Sequence, residues 1–391
     1  MFKKFTNGCV KLVQRFLPDA FVFCIILTIV VFIAAMPVAG MNPIEVANAW
    51  GSGVWGLLAF SMQMALVLVL GSALANAPAI KRIIVKLAGV PKKPAGAVAF
   101  VTIISAICCF INWGFGLIIG ALLAKEVAKK IKGLDYRLII AAAYSGFVIW
   151  HSGISGSIPL GMTALDVDGT VANTGGAVTE IVPTSQTIFS AWNLIMVLAV
   201  VVVVAIVNAK MHPDAKDVVS IDPKLLEDAP EAVETKAKKD RTPAEKLENS
   251  MILSYIVVVI GAVYLIYYFV NAGSILNALS LNIVNLIFLI LGIAFHKTPI
   301  GYVKAIMESA ESAGGIILQF PFYAGIMGIM TGTVTEGGPS LAGVISNFFV
   351  AISNDVTFPL FTFLSAGIVN FFVPSGGGQW AVQAPIVLPA T

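Results

Sequence analysis

The stretch NFFVPSGGGQWAVQAP (370–385) opens as an apolar, membrane-type run and then places Pro374, Ser375, three glycines and Gln379 in little more than a helical turn. Within a bilayer, such a break survives only where protein or a water-filled cavity surrounds the freed backbone groups. Two other stretches share this character: NWGFG (112–116), near the middle of the apolar segment 97–124, and WHSGISGSIP (150–159). Their setting decides the fold.

Hydrophobic residues make up 58% of the 391 and charged residues 12%, against about 25% charged in soluble domains. The runs 21–35, 194–207 and 252–270 carry no charge and approach or reach the length that spans a bilayer. The expectation is an all-α polytopic membrane protein. Its net charge of +3 gives no reason to invoke nucleic acid; the lipid bilayer is its surroundings. Cys9, Cys24, Cys108 and Cys109 show neither metal-ligand nor disulfide spacing and read as buried, inert thiols. Lys3, Lys4, Lys11 and Arg15 precede the first apolar run, which reads as an uncleaved helix because everything after it is also membrane-like.

The 24 basic residues are clustered: before residue 17, in 81–93, in 125–137, in 210–246, and at Lys297 and Lys304. The positive-inside rule makes each cluster, and the N-terminus, cytoplasmic. The segment 97–124 then has both ends on one side, which a single crossing cannot achieve and a re-entrant hairpin with its tip at NWGFG can. Residues 138–160 form a broken helix. The first repeat thus covers 1–208, a charged cytoplasmic linker 209–249, and a second repeat 250–391.

At an offset of 260 the halves share weak matches, among them Ser52 with Ser312, Ser105–Ala106 with Ser365–Ala366, and Gly116 with Gly376. The charge pattern orients the two copies oppositely. This is an inverted-topology repeat with two re-entrant helical hairpins and broken transmembrane helices, an arrangement found in many secondary transporters. The repeat also predicts a second broken helix beyond Thr391.

No Lys or Arg lies deep in a spanning run, so an anionic ligand would be held by helix N-termini and by neutral polar side chains. The candidates are Asn112, Trp113 and Gly114; His151, Ser152, Ser155 and Ser157; and Ser375, Gly376, Gly377, Gly378, Gln379 and Trp380. Exposed backbone groups at unwound glycines would meet the carboxylate, while Trp113 and Trp380 would shape a pocket for a short alkyl chain. A plainer reading makes the glycines sites of close helix packing and His151 a structural histidine. No catalytic residue, metal site or cofactor is expected. WHSGISG offers His and Ser for a membrane-embedded enzyme, but no third orienting group lies near in sequence.

The runs VNFFVPSGGGQWAVQAPIVLPA (369–390), VQRFLPDAFVFCIILTIVVFI (13–33) and INWGFGLIIGALLAKEVAKK (111–130) resemble the short-chain fatty acid transporter family, a branch of the ion transporter superfamily. The resemblance implies a carrier of acetoacetate, butyrate and similar monocarboxylates in the bacterial inner membrane. It also implies coupling to Na+ or H+, with homodimerisation by analogy to the superfamily. A dicarboxylate or amino-acid carrier of the same superfamily is the alternative.

Overall fold

The computed structural model describes residues 15, 18–164, 167, 170–171, 174, 176–226, 241–273, 275–276, 278–334, 338, 340–372 and 376–390. They are helical throughout their ordered elements. In chain order these are α1 Ala20–Ala39, α2 Pro43–Gly53, α3 Leu58–Ala75, α4 Pro78–Leu87, α5 Pro94–Ile111, α6 Trp113–Lys130, α7 Tyr136–Ser145, α8 Ser157–Ala164 and α9 Ala191–Lys210. At the end of the linker lies α10 Pro243–Glu248, followed by α11 Met251–Asn271, α12 Leu281–His296, α13 Pro299–Ala310, α14 Gly314–Thr331, α15 Leu341–Ile352, α16 Phe358–Phe372 and α17 Gly376–Val387. Among the described residues, seven stretches are long and apolar enough to cross a membrane. Only 6% of the α11 window and 11% of the α9 window are buried; so much bare apolar surface suits lipid, not water, as the solvent.

The helices α1 to α6 are matched in order by α12 to α17, about 260 residues further on. The start signals agree too: Asn42 caps α2 and Thr298 caps α13, each followed by proline in the first turn, where its missing N–H costs nothing. Chain contacts define two compact units that divide the molecule differently from these two series. One unit holds α1, α2, nearly all of α14, and α15 to α17. The other holds most of α3 with α4 to α13. Each unit therefore joins the opening pair of one series to the closing members of the other.

In the first unit, α2 crosses α14 through small residues. A Cβ on Gly53 would lie 2.8 Å from the Ala324 carbonyl oxygen, and one on Gly328 would lie 2.5 Å from that of Ala49. Lipid supplies little hydrophobic drive between helices, so close backbone approach is what holds such a pair. Trp50 and Phe21 then pack edge-on against Phe322 of α14, at 5.9 and 5.0 Å between ring centres.

In the second unit, α5 and α6 lie side by side, joined by Asn112 alone. Gly116 abuts Cys109 and Gly120 abuts Ser105. Residues at nearly equal distances from Asn112 thus face one another, which makes this an antiparallel helical hairpin. Its helices extend from 94 to 130, wider than the apolar segment 97–124, because Pro94 starts the first helix and the charged turns of 125–130 continue the second. Val98, Val101, Leu123, Val127 and Ile139 fill the core it shares with α4 and α7. Polar side chains add fixed points: Asn208 of α9 donates to Ser145 Oγ (2.7 Å) and Thr102 Oγ1 (3.0 Å). Ser309 donates to Ser72 (3.0 Å), and His296 Nε2 lies 2.8 Å from the Ala73 carbonyl, fastening α13 and α12 to α3.

The linker is anchored to the start of α7. The Asp135 carboxylate accepts from Leu138 N–H and Val219 N–H, both at 2.9 Å, and lies 3.7 Å from Arg137. Burial would raise this carboxyl, but the two backbone donors, with Arg137 and His212 nearby, hold it below its ordinary value.

Candidate functional site

The segment expected as a broken helix at 138–160 is α7, a 3₁₀ turn at Gly146–Ser152, an irregular stretch, and α8. This irregular stretch crosses the tip of the α5–α6 hairpin, and the two breaks satisfy each other's backbone. Ile154 N–H donates to the Phe110 carbonyl (2.6 Å), and Trp113 N–H donates to Ser155 Oγ (2.9 Å). Gly153 packs so close to Phe110 that no side chain fits there. Asn193 of α9 closes the arrangement, donating to the Ser152 carbonyl (3.0 Å).

Asn112 is fully buried and extended (φ −154°, ψ 120°). Its Oδ1 accepts from Phe115 N–H (2.9 Å), capping α6, and its Nδ2 donates to the Val67 carbonyl of α3 (3.3 Å). A Cβ on Gly71 would sit 2.5 Å from that Oδ1, so glycine is what lets α3 reach the tip. Asn112 and Ser155 are thereby committed to holding the breaks together. Gly114 and Gly116 lie within α6, and Gly114 packs on Leu68. The unwinding at this tip is confined to Asn112, and these glycines serve close packing.

Several buried polar atoms elsewhere in the chain lack partners, Trp50 Nε1 and Tyr302 Oη among them, and three lie at or near these breaks. Trp113 Nε1, His151 Nε2 and Ser157 Oγ are buried without a hydrogen-bond partner. Trp113 and Trp150 lie 5.5 Å apart, Phe147 stacks on Trp150 at 5.2 Å, and His151 is 3.7 Å from Trp150 between ring centres. Two of these unpartnered atoms, Trp113 Nε1 and His151 Nε2, thus belong to one aromatic cluster. Ser152 is half-buried nearby.

In the first unit, α16 and α17 form the second helical hairpin. Residues 373–375, with Pro374 and Ser375, lie outside the described residues. Gly376, Gly377 and Gly378 are buried and helical, and a Cβ on Gly378 would strike the Tyr323 ring at 2.5 Å. Gln379 Nε2 donates to the Ala366 carbonyl (3.0 Å) and to Gln383 Oε1 (2.7 Å), while its Oε1 accepts from Asn370 (2.8 Å). Gln383 continues to Ser365 (3.2 Å). This ladder ties α17 to α16 and uses both ends of the Gln379 amide. Trp380 Nε1 is likewise buried and unpartnered.

Residues 1–391 match the family described as short chain fatty acid transporter. The chain belongs to the short-chain fatty acid transporter family. A provisionally named short-chain fatty acid transporter of Escherichia coli (strain K12) is 41% identical over 390 residues, covering all of this chain and 85% of the relative. One of Haemophilus influenzae with the same description is 42% identical over 395 residues, with the same coverage. In fold, the chain is similar to the crystal structure of the Alcanivorax borkumensis YdaH transporter, described as having an unusual topology. The TM-score is 0.55 at 12% identity, over 95% of this chain and 82% of the other. The short-chain fatty acid transporter family is one of transporters, so the His and Ser of WHSGISG are not an enzyme's catalytic pair.

Sequence reasoning missed Phe147, Trp150, Asn193, Tyr323, Asn370 and Gln383. Asn193 and Asn370 were readable as isolated amides in apolar runs. The aromatic residues carried no such mark.

Proposed function

We propose that this protein is a secondary active carrier of short-chain fatty acids and similar small monocarboxylates, acetoacetate and butyrate among them. It works by alternating access in the bacterial inner membrane, with its N-terminus cytoplasmic. The supporting observation is that Trp113 Nε1 and His151 Nε2, buried and unpartnered, belong to the aromatic cluster of Trp113, Phe147 and Trp150, with Ser157 Oγ unpartnered a few residues on. A buried polar group left unpaired costs about 1–3 kcal/mol, a cost that a ligand carboxylate offsets when bound. Trp113 Nε1, His151 Nε2 and Ser157 Oγ act as donors, and the rings accommodate a short alkyl chain. In the other unit, Trp380 Nε1 and the first-turn N–H groups of Gly376 and Gly377, with Ser375, do the same work. Asn112, Ser155 and Gln379 position these groups.

The two matched helix series are the copies of an inverted repeat, and the α5–α6 and α16–α17 hairpins are its re-entrant elements. The absence of Lys and Arg from 106–124, 138–160 and 358–391 favours one carboxylate over two, because a second would want a cation. Accumulation requires coupling. Carbonyl groups at the breaks suit Na+, and His151 suits H+. The test is uptake of labelled butyrate by proteoliposomes, with proton and sodium gradients imposed separately. Uptake driven by one gradient and competed by acetoacetate but not by succinate supports the proposal; transport of succinate instead overturns it.

A further inference from the structure

The transport reading leaves α4 without a role. This helix of two to three turns, PAIKRIIVKL, has two unlike faces. Inward, Ile84 and neighbouring Ala88 join the core of the second unit, and Lys130 Nζ donates to the Val85 carbonyl (2.5 Å), fastening α4 to the end of α6. Outward, Lys81, Arg82 and Lys86 are exposed together with Ile83 (52%) and Val85 (45%), around an open concavity of about 540 Å³. Among the described residues no carboxylate pairs with these three cations; Arg82 Nε reaches only the Pro78 carbonyl of its own helix (3.3 Å).

A face that mixes bare cations with bare branched aliphatics is ill suited to water and to hydrocarbon alike. It suits the headgroup boundary, where apolar side chains enter the acyl layer and cations meet phosphates. The helix α15 occupies the same place in its series as α4, yet its sequence LAGVISNFFVAI has no charged residue. A helix at this place in the series therefore does not require the cations.

We propose that the outer face of α4 is a binding site for an anionic phospholipid, with the headgroup phosphate held by Lys81, Arg82 and Lys86 and the first acyl carbons resting on Ile83 and Val85. Because α4 packs on α6, the bound lipid also braces the α5–α6 hairpin. This inference is independent of the substrate reading.

The test is native mass spectrometry of the full-length protein in detergent, offered equal amounts of phosphatidylglycerol and phosphatidylcholine. Wild type retains phosphatidylglycerol in preference. The variant K81Q/R82Q/K86Q weakens that retention roughly a hundredfold, at about fivefold per cation. A control, K216Q/K246Q, neutralises two exposed linker cations and leaves the preference intact. If the triple variant cannot be recovered from membranes, K81Q and K86Q alone each lose about fivefold. Equal retention by wild type and the α4 variants, or the same loss in the linker control, overturns the assignment.

Discussion

Replacing Asn112 with alanine separates a positioning residue from a ligand. The side chain is fully buried, accepts from Phe115 N–H at 2.9 Å and donates to the Val67 carbonyl at 3.3 Å. Losing a helix cap costs about 1 kcal/mol, and the bond to Val67 contributes about 0.5–1.5 kcal/mol. Asn112→Ala should therefore destabilise the hairpin tip by about 2 kcal/mol. Serine can still cap, so Asn112→Ser should recover roughly half of that. Aspartate keeps the acceptor but turns a buried charge toward the Val67 carbonyl, so Asn112→Asp should be the worst of the three. Thermal unfolding of the purified protein, read beside butyrate uptake on the same preparations, gives the answer. Uptake and melting temperature should fall together in the order Ser, Ala, Asp. An alanine variant that melts like wild type but does not transport would refute the capping role and make Asn112 a substrate contact.

Three further outcomes follow from the same geometry. Gln379→Ala should lower both melting temperature and uptake, at a cost of about 1 kcal/mol, because it leaves the buried Gln383 Oε1 without its donor; unchanged melting would contradict the ladder. Gly71→Ala should destabilise by about 1–3 kcal/mol, since the new methyl would lie 2.5 Å from Asn112 Oδ1 and 2.6 Å from Phe115 N; normal melting and uptake would show that α3 can yield. The linker anchor should depend on pH. Asp135 is lowered in the folded protein, so its stabilisation is complete above the ordinary carboxylate value, about 3.9, and is lost as pH falls through the lowered value. Protection of the Val219 amide from hydrogen exchange, corrected for intrinsic rate, should follow that course in wild type and be weak at every pH in Asp135→Asn. Equal protection in both would dismiss the anchor.

The breaks were legible because a bilayer leaves so little room for them. Asn112 and the stretch after Trp150 stand out when the flanking residues are apolar and the basic clusters fix both ends of 97–124. What each polar residue does there was not legible. Asn112, Ser155 and Gln379 have the composition of ligands, yet their hydrogen bonds go to chain segments up to 45 residues away, which no local pattern reveals. Phe147 and Trp150 escaped notice for the opposite reason. In a membrane helix an aromatic residue facing lipid and one walling a site look alike, since hydrophobic periodicity marks the inward face only when water lies outside. The basic cluster 81–93 was readable as charge near a membrane face; that Lys81, Arg82 and Lys86 share one side of a helix with Ile83 and Val85 emerged only from its fold.

The central claim is that buried donors are kept unpaired for a carboxylate, and Trp113→Phe tests it most directly. The substitution keeps an aromatic ring and removes the N–H. Labelled butyrate uptake and melting temperature should be measured together on wild type and variant. The account predicts uptake at least tenfold lower with a melting temperature equal to or above wild type, because an unsatisfied buried donor has been removed. Unchanged uptake, or a loss of uptake accompanied by a matching loss of stability, would contradict it.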